Sequence, residues 1–149
     1  MKNLNNNVII KCFEFLPQDS KNIREEVFVN EQGFTEEFDT VDLRAYHFVA
    51  YTDSGEPLGT CRIFTENEPS VYFLGRLAVS KYARANGIGR ALIIQAENKA
   101  RELNAVELRL HSQCRAQAFY EKCGYLSYGE IELDEGCPHI WMKKVLINE

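Results

Sequence analysis

The sequence predicts an α+β fold, a mixed α/β domain built around one central sheet, and three observations carry that reading. Strand-like and helix-like segments follow one another in the order β-α-β-β-β-α-β-α-β-β. One strand–helix–strand unit, from residue 71 to 111, needs a crossover connection, so its two strands should be parallel neighbours. Elsewhere, turn-rich links such as "TDSGEP" and "DEGCP" suit antiparallel hairpins. At 149 residues the chain is long enough for one domain, 1–149, with a respectable core.

Taken in order, "VIIKCFEFL" at residues 8 to 16 is rich in β-formers, and Pro17 ends it. Asp19 or Ser20 can cap a helix that carries Ile23, Val27 and Phe28 on one face, with Gly33 closing it. "AYHFVAY" and "LGTCRIF" form a hairpin, and "VYFLGRLAV" is the next strand after a turn at "ENEPS". From Gly89 to Leu103 the apolar positions Leu92, Ile93, Ala96, Ala100 and Leu103 recur at helical spacing. "AVELRLHS" is another strand. "QCRAQAFYEKCG" is a short helix that Gly124 is placed to terminate, and the tail forms a last antiparallel pair.

Composition narrows the class. The five cysteines (Cys12, Cys61, Cys114, Cys123, Cys137) are odd in number and lack a C-x-x-C pair, which argues against zinc and disulfide scaffolds and suggests reduced thiols in the cytoplasm. The three histidines are widely scattered, and no metal site is expected. Net charge of −5 speaks against a nucleic-acid partner. No apolar run approaches a membrane span, and the N-terminus has no signal-peptide pattern.

The chemistry concentrates in "LAVSKYARANGIGRALIIQAENKA", residues 77 to 100. A strand ends, Arg84, Gly87 and Gly89 follow, and a long helix begins. No lysine and hydroxyl follow Gly89 as a Walker A loop requires, and Leu92 stands where a dinucleotide fingerprint needs its third glycine. What remains is R-x-x-G-x-G opening a helix. Unpaired N–H groups and a partial positive charge at a helix start suit a pyrophosphate, and glycines let the backbone approach it. By itself the pattern is equally a glycine-containing turn with two solvated arginines, Arg84 and Arg90.

With its surroundings, the strand, R-x-x-G-x-G, amphipathic helix and "AFYEKCGY" closely resemble the acetyl-CoA-binding region of the GNAT superfamily of N-acetyltransferases. "REEVFVNEQGF", "GRLAV", "LHSQ" and "GCPHIWMKK" resemble its ElaA/YjcF-like branch, over essentially the whole chain. The resemblance implies a single GNAT-like acyl-CoA N-acyltransferase domain, its mixed, mostly antiparallel sheet splayed around the cofactor and flanked by helices. It implies acetyl-CoA as cosubstrate, with the pyrophosphate on Arg84, Ala85, Asn86, Gly87, Ile88, Gly89 and Arg90. The pantetheine would pair with the backbone of Leu77, Ala78 and Val79, beside a β-bulge that opens a slot. Gln113 stands where an asparagine often contacts pantetheine. The acceptor would be a small-molecule or peptide amine, and a homodimer is left open.

Tyr120 matches the family's general acid, a phenol that is neutral at pH 7 and can protonate the departing thiolate. From spacing alone it is equally a helix aromatic packed on the sheet. The resemblance also assigns the Val79 N–H to the thioester oxygen. For the general base no glutamate is available in "YFLGRLAV", where Arg76 occupies the centre; Glu31, His111 and His139 are the candidates.

Glu25, Glu26, Glu31, Glu36, Glu37, Asp39 and Asp42 fall in a stretch without lysine or arginine. In this fold that stretch would wall the acceptor groove and favour a cationic amine, or else form a solvated face. Two other functions would keep every motif: an acyl-CoA sensor without turnover, and transfer of a longer acyl chain or to a hydroxyl.

Overall fold

Seven strands are present in the computed structural model, which describes residues 8–35 and 37–146. They are β1 (Ile9–Phe13), β2 (Tyr46–Tyr51), β3 (Pro57–Thr65), β4 (Val71–Val79), β5 (Glu107–Gln113), β6 (Leu126–Asp134) and β7 (Cys137–Val145). Three α-helices accompany them: α1 (Gln18–Arg24), α2 (Ile88–Glu102) and α3 (Gln117–Lys122). The strands join one sheet in the order β1-β2-β3-β4-β5-β7-β6. Only β4 and β5 pair in parallel, across the α2 crossover, as the sequence predicts.

β3 is buried along most of its length because helices cover both its faces. Gly59 faces α2, where an added Cβ would stand 3.2 Å from both Ile88 and Leu92, so only glycine lets the helix sit this close. The next residue, Thr60, points the other way and bonds Ser20 of α1 through their hydroxyls at 2.8 Å. The main core gathers Leu58, Ile63, Leu92, Ile93, Leu108 and Met142 among others.

Several boundaries differ from expectation. The first strand ends at Phe13 rather than residue 16. Pro17, not Asp19 or Ser20, is the N-cap of α1; Asp19 instead accepts the Tyr51 hydroxyl at 2.8 Å, and Ser20 is spent on Thr60. Tertiary partners outbid the local cap. Beyond Arg24 the helix widens into a π-helix, Glu25–Glu31, which Gly33 closes with φ +81°. The helix expected from Gln113 opens as a 3₁₀ turn, Cys114–Ala116, before α3.

The decisive irregularity lies in β4. Its pairing with β3 skips from Gly75–Arg62 to Ala78–Thr60, so Arg76 and Leu77 together oppose Cys61. This is a β-bulge, with Arg76 in the left-handed region at φ +52°. That conformation costs a non-glycine residue about 1–2 kcal/mol, and the glycine of "LGRL" stands one position too early to relieve it. On the other edge, parallel pairing with β5 stops at Leu74–Leu110. From there β4 and β5 part, and the sheet opens into a V.

Candidate active site

Two cavities occupy that opening. The smaller, about 460 Å³, is lined by Val27, Glu31, Leu77, Ala78, Val79 and Arg84 among others. The larger, about 1090 Å³, takes in Arg76, Tyr120, His111 and His139. Leu77, Gln32 and Arg115 line both, so the cavities meet at the bulge. There Gln113 donates its amide to Gln32 at 2.8 Å and accepts from the Arg115 Nε at 2.7 Å. Its amide therefore bridges the end of β5 to the end of the π-helix.

Below the smaller cavity, the segment Arg84–Arg90 turns the chain into α2. Ala85 and Gly87 are both left-handed, with φ of +64° and +75°. Asn86 stabilises the turn by donating to the carbonyls of Ala83 and Arg84 at 3.0 and 2.9 Å. Gly87 is the N-cap of α2, and no side chain caps the helix, so its first N–H groups keep their donors for an outside anion. Ile88 points into the core, and Arg90 is exposed. A side chain at Gly89 would crowd Phe119 of α3, whose ring tip lies 3.2 Å from the place of an added Cβ. Arg84 donates Nε to the Val79 carbonyl at 3.0 Å and grips Glu31 with both terminal nitrogens at 2.7 Å. Hydrogen bonding to Arg84 holds the Glu31 carboxyl below its ordinary range.

These features fit coenzyme A. An unpaired strand edge lines the smaller cavity, and past Arg84 the chain runs on into a left-handed turn and an uncapped helix start, the succession that a pantetheine arm and a pyrophosphate require.

The larger cavity brings together residues far apart in sequence. Tyr120 lies on α3 with its ring against the core, edge-on to Phe119 and Tyr125. Burial pushes its phenol up, so it is fully protonated at neutral pH. Among the described residues no partner is recorded for its hydroxyl. Tyr125, five residues on, is structural: its hydroxyl donates to Glu97 at 2.8 Å in the interior.

His111 and His139, scattered in the sequence, stand side by side on β5 and β7 with ring centroids 4.9 Å apart. Trp141 stacks on His111 at 4.5 Å and donates its Nε1–H to Glu132 at 3.0 Å. His139 Nδ1 lies 2.8 Å from the Cys137 carbonyl. A carbonyl only accepts, so Nδ1 carries the proton and Nε2 keeps its lone pair. Burial and the neighbouring His139 both lower the pKa of His111.

The acidic stretch is not the open wall that the sequence suggests. Glu37 accepts from Arg24 at 2.7 Å and lies 3.0 Å from Arg76. Asp42 is shared by Arg24 and Arg62, both at 2.8 Å, and Asp39 pairs with Arg62 at 2.6 Å. Burial works to raise the Asp42 carboxyl, but the two guanidiniums overcome it and bring it to about 2. Glu31 is spent on Arg84, and Glu36 lies outside the described residues. Of the stretch, Glu25 lines the larger cavity outside this network, joined from the β6–β7 tip by Asp134 and Glu135. Glu135 also ties the tip to the loop after the π-helix, accepting from the Thr35 N–H and hydroxyl at 3.0 and 2.8 Å. Three buried or half-buried arginines from separate segments thus neutralise Glu37, Asp39 and Asp42, three of the seven carboxylates of the stretch. Nothing in the spacing of Arg24, Arg62 and Arg76 announces this.

Val79 lines the smaller cavity, two residues beyond the bulge, whereas Leu77, at the bulge, lines both cavities.

Comparison with known proteins agrees with this geometry. The family model of the GNAT acetyltransferase domain matches residues 16–146. YjcF of Bacillus subtilis, named an N-acetyltransferase, is 36% identical over 140 residues, covering 92% of this chain and 97% of YjcF. Escherichia coli ElaA has the same fold, with a TM-score of 0.81 at 22% identity over 92% of this chain and 99% of ElaA. So does an aminoglycoside 6′-N-acetyltransferase solved with coenzyme A, with a TM-score of 0.73 at 18% identity over 95% of this chain and 98% of that one. The chain belongs to the GNAT acetyltransferase family, with YjcF as a relative and ElaA as a structural counterpart.

Proposed function

We propose that the protein transfers an acetyl group from acetyl-CoA to a primary amine by direct attack of the amine on the thioester. Tyr120 acts as the general acid and His139 as the general base. The observation that carries this reading is the meeting of the two cavities at the β4 bulge, with Tyr120 and His139 both lining the larger one.

The cofactor supplies an activated thioester, and the chain's own groups do the rest. Leu77, Ala78 and Val79 offer the pantetheine arm the strand edge that β5 leaves unpaired, although the Val79 carbonyl already accepts from the Arg84 Nε. The turn from Arg84 to Arg90 takes the pyrophosphate, mostly through N–H groups at the start of α2. The carbonyl oxygen gains negative charge as the amine adds, and the backbone N–H of Val79, just past the bulge, is the donor assigned to it. The Tyr120 phenol keeps its proton until the sulfur leaves as thiolate, then donates it.

His139 suits the base because its Nδ1–H is committed to Cys137, which leaves Nε2 free to take a proton from the amine. His111 supports it through charge. Its ring lies beside that of His139, and burial together with His139 lowers the pKa of His111, so His111 adds little positive charge next to the base. Glu31 is a poor base here, since its carboxylate is locked to Arg84 at the phosphate end. Glu25 and Asp134 attract an incoming ammonium to the cavity mouth, a weaker pull than seven uncompensated carboxylates would give.

The deciding experiment measures thiol release from acetyl-CoA against a panel of amines and hydroxyl compounds. Amine-dependent release with formation of the N-acetyl product is expected. Coenzyme A binding without release to any acceptor would instead make the protein a sensor, and better rates with longer acyl-CoA would change the donor.

A further inference from the structure

Arg76 is left unused by this reading. It lines the larger cavity from β4, and it occupies a left-handed bulge position that glycine would fill with less strain. We propose that Arg76 holds a compact oxyanion, a carboxylate in the first instance, carried by the acceptor a few bonds from its amine nitrogen. The acceptors are then small amino-acid-like zwitterions rather than plain amines or polyamines. This rests on the reading of the larger cavity as an amine site.

The guanidinium is fixed from behind. Its Nε donates to the Glu37 carbonyl at 3.1 Å and lies 3.0 Å from the Glu37 carboxylate, and one Nη2 hydrogen reaches Asp39 at 3.4 Å. Glu37 and Asp39 are themselves gripped by Arg24 and Arg62, which are 1% and 3% exposed. The anchor therefore cannot swing. An arginine carries five N–H donors in a rigid fork, and this one leaves both Nη1 hydrogens and one Nη2 hydrogen unspent among the described residues. Those form the end-on edge that accepts a carboxylate with two parallel hydrogen bonds. Arg76 lines the larger cavity and its side chain is 28% exposed, unlike the buried arginines behind it.

Charge favours the same occupant. Arg24, Arg62 and Arg76 balance Glu37, Asp39 and Asp42 around the guanidinium, while Glu25 and Asp134 on the same cavity suit the ammonium end of a zwitterion. Burial and the two neighbouring arginines make the Arg76 cation less comfortable than usual, a deficit that an incoming oxyanion relieves. A zwitterion also matches the rest of the cavity, with its ammonium toward His139 and its oxyanion on Arg76.

The test is calorimetric binding to the protein saturated with coenzyme A. Matched triplets are compared: an α-amino acid, its aminophosphonate counterpart, and the amine with neither group. The acid-bearing member of the best triplet should bind about 10–100-fold tighter than the plain amine, the range expected for a charged hydrogen-bonded pair. The carboxylate and phosphonate arms show which oxyanion fits. In Arg76→Gln the ratio should collapse to near one, while Arg76→Lys keeps part of it; unchanged coenzyme A affinity checks that each variant is folded. Plain amines binding as tightly as their acid-bearing partners, or a ratio that survives in Arg76→Gln, overturns the proposal. Should Arg76→Gln fail to fold, the wild-type ratio decides alone. Thiol release measured in parallel keeps the two readings apart: its absence with every acceptor defeats acetyl transfer, while the binding ratio still judges Arg76.

Discussion

The two cavities are built from different materials. At the smaller one the groups suited to a cofactor are backbone: the open edge of β4 lines it, beside Val27, Glu31, Gln32 and Arg115, and Arg84 leads from it into a left-handed turn and the first turn of α2. The larger one is made of side chains from the π-helix, the loop after it, β4, β5, α3 and β7. A backbone site recognises groups common to every coenzyme A thioester, and it tolerates many side chains as long as the turn and helix start survive. A side-chain site selects one acceptor among many, and each of its members is exchangeable. The contrast teaches where substitutions should abolish the reaction and where they should redirect it.

The sharpest break in that contrast is Tyr120→Phe. Removing the phenolic proton should lower kcat by about 10²–10⁴-fold, the usual worth of general acid catalysis, while calorimetric affinity for coenzyme A stays the same. Near-normal turnover under conditions where chemistry limits the rate would make Tyr120 a packing residue. Gly89→Glu attacks the backbone side instead. It sets a carboxylate at the helix start, against the phosphate charge, and crowds Phe119. Coenzyme A affinity should fall about 10–100-fold, with thermal denaturation showing whether the fold persists. Unchanged affinity in a folded variant would move the pyrophosphate elsewhere.

A pH series sharpens the acceptor side. His111 is pushed below its ordinary 6.5, by burial first and then by His139. A base works in its neutral form, so an acid limb of kcat/KM that follows His111 should lie below pH 6.5, and His111→Gln should remove it. The groups facing His111 are His139, Glu132 and Asp134, and Asp134→Asn should shift the limb slightly lower. The same shift has a stability sign. His47 is also lowered by burial, so both histidines bind protons less readily folded than unfolded. Stability that is present above about pH 6.5 should therefore be lost as the pH drops through their folded values, seen as a falling Tm. A Tm that rises on acidification from pH 7 would contradict both assignments.

The smallest effect should come from Glu31→Gln. It releases Arg84 from an exposed ion pair, so coenzyme A affinity should tighten by no more than about threefold, more at low salt. The acid limb of the pH profile should stay in place. A lost limb would return Glu31 to the role of base.

Much of this molecule was legible from its amino acids. β4 was bounded as observed, the parallel pair was inferred from the crossover, and the spacing of Arg84, Gly87 and Gly89 marked the turn into α2. Contiguity is the reason: strand patterning, left-handed glycines and helix starts are local properties, set by residues that are neighbours in the chain. The helix cap was misread for the complementary reason. Asp19 and Ser20 have the right chemistry for a cap, but Tyr51 and Thr60 claim them from across the fold. The same limit governs the acceptor side. That His111 meets His139 depends on the register of β5 against β7, in which Gln113 opposes His139 and His111 opposes Trp141. That Glu37, Asp39 and Asp42 are neutralised depends on Arg24, Arg62 and Arg76 converging from a helix and two strands. Sequence determined the fold class, the order of its elements and the backbone that suits a pyrophosphate. Tertiary structure alone decided which charges cancel and which histidines touch, because electrostatic interactions depend on distance in space, and distance in space between remote residues is set only when the sheet is assembled.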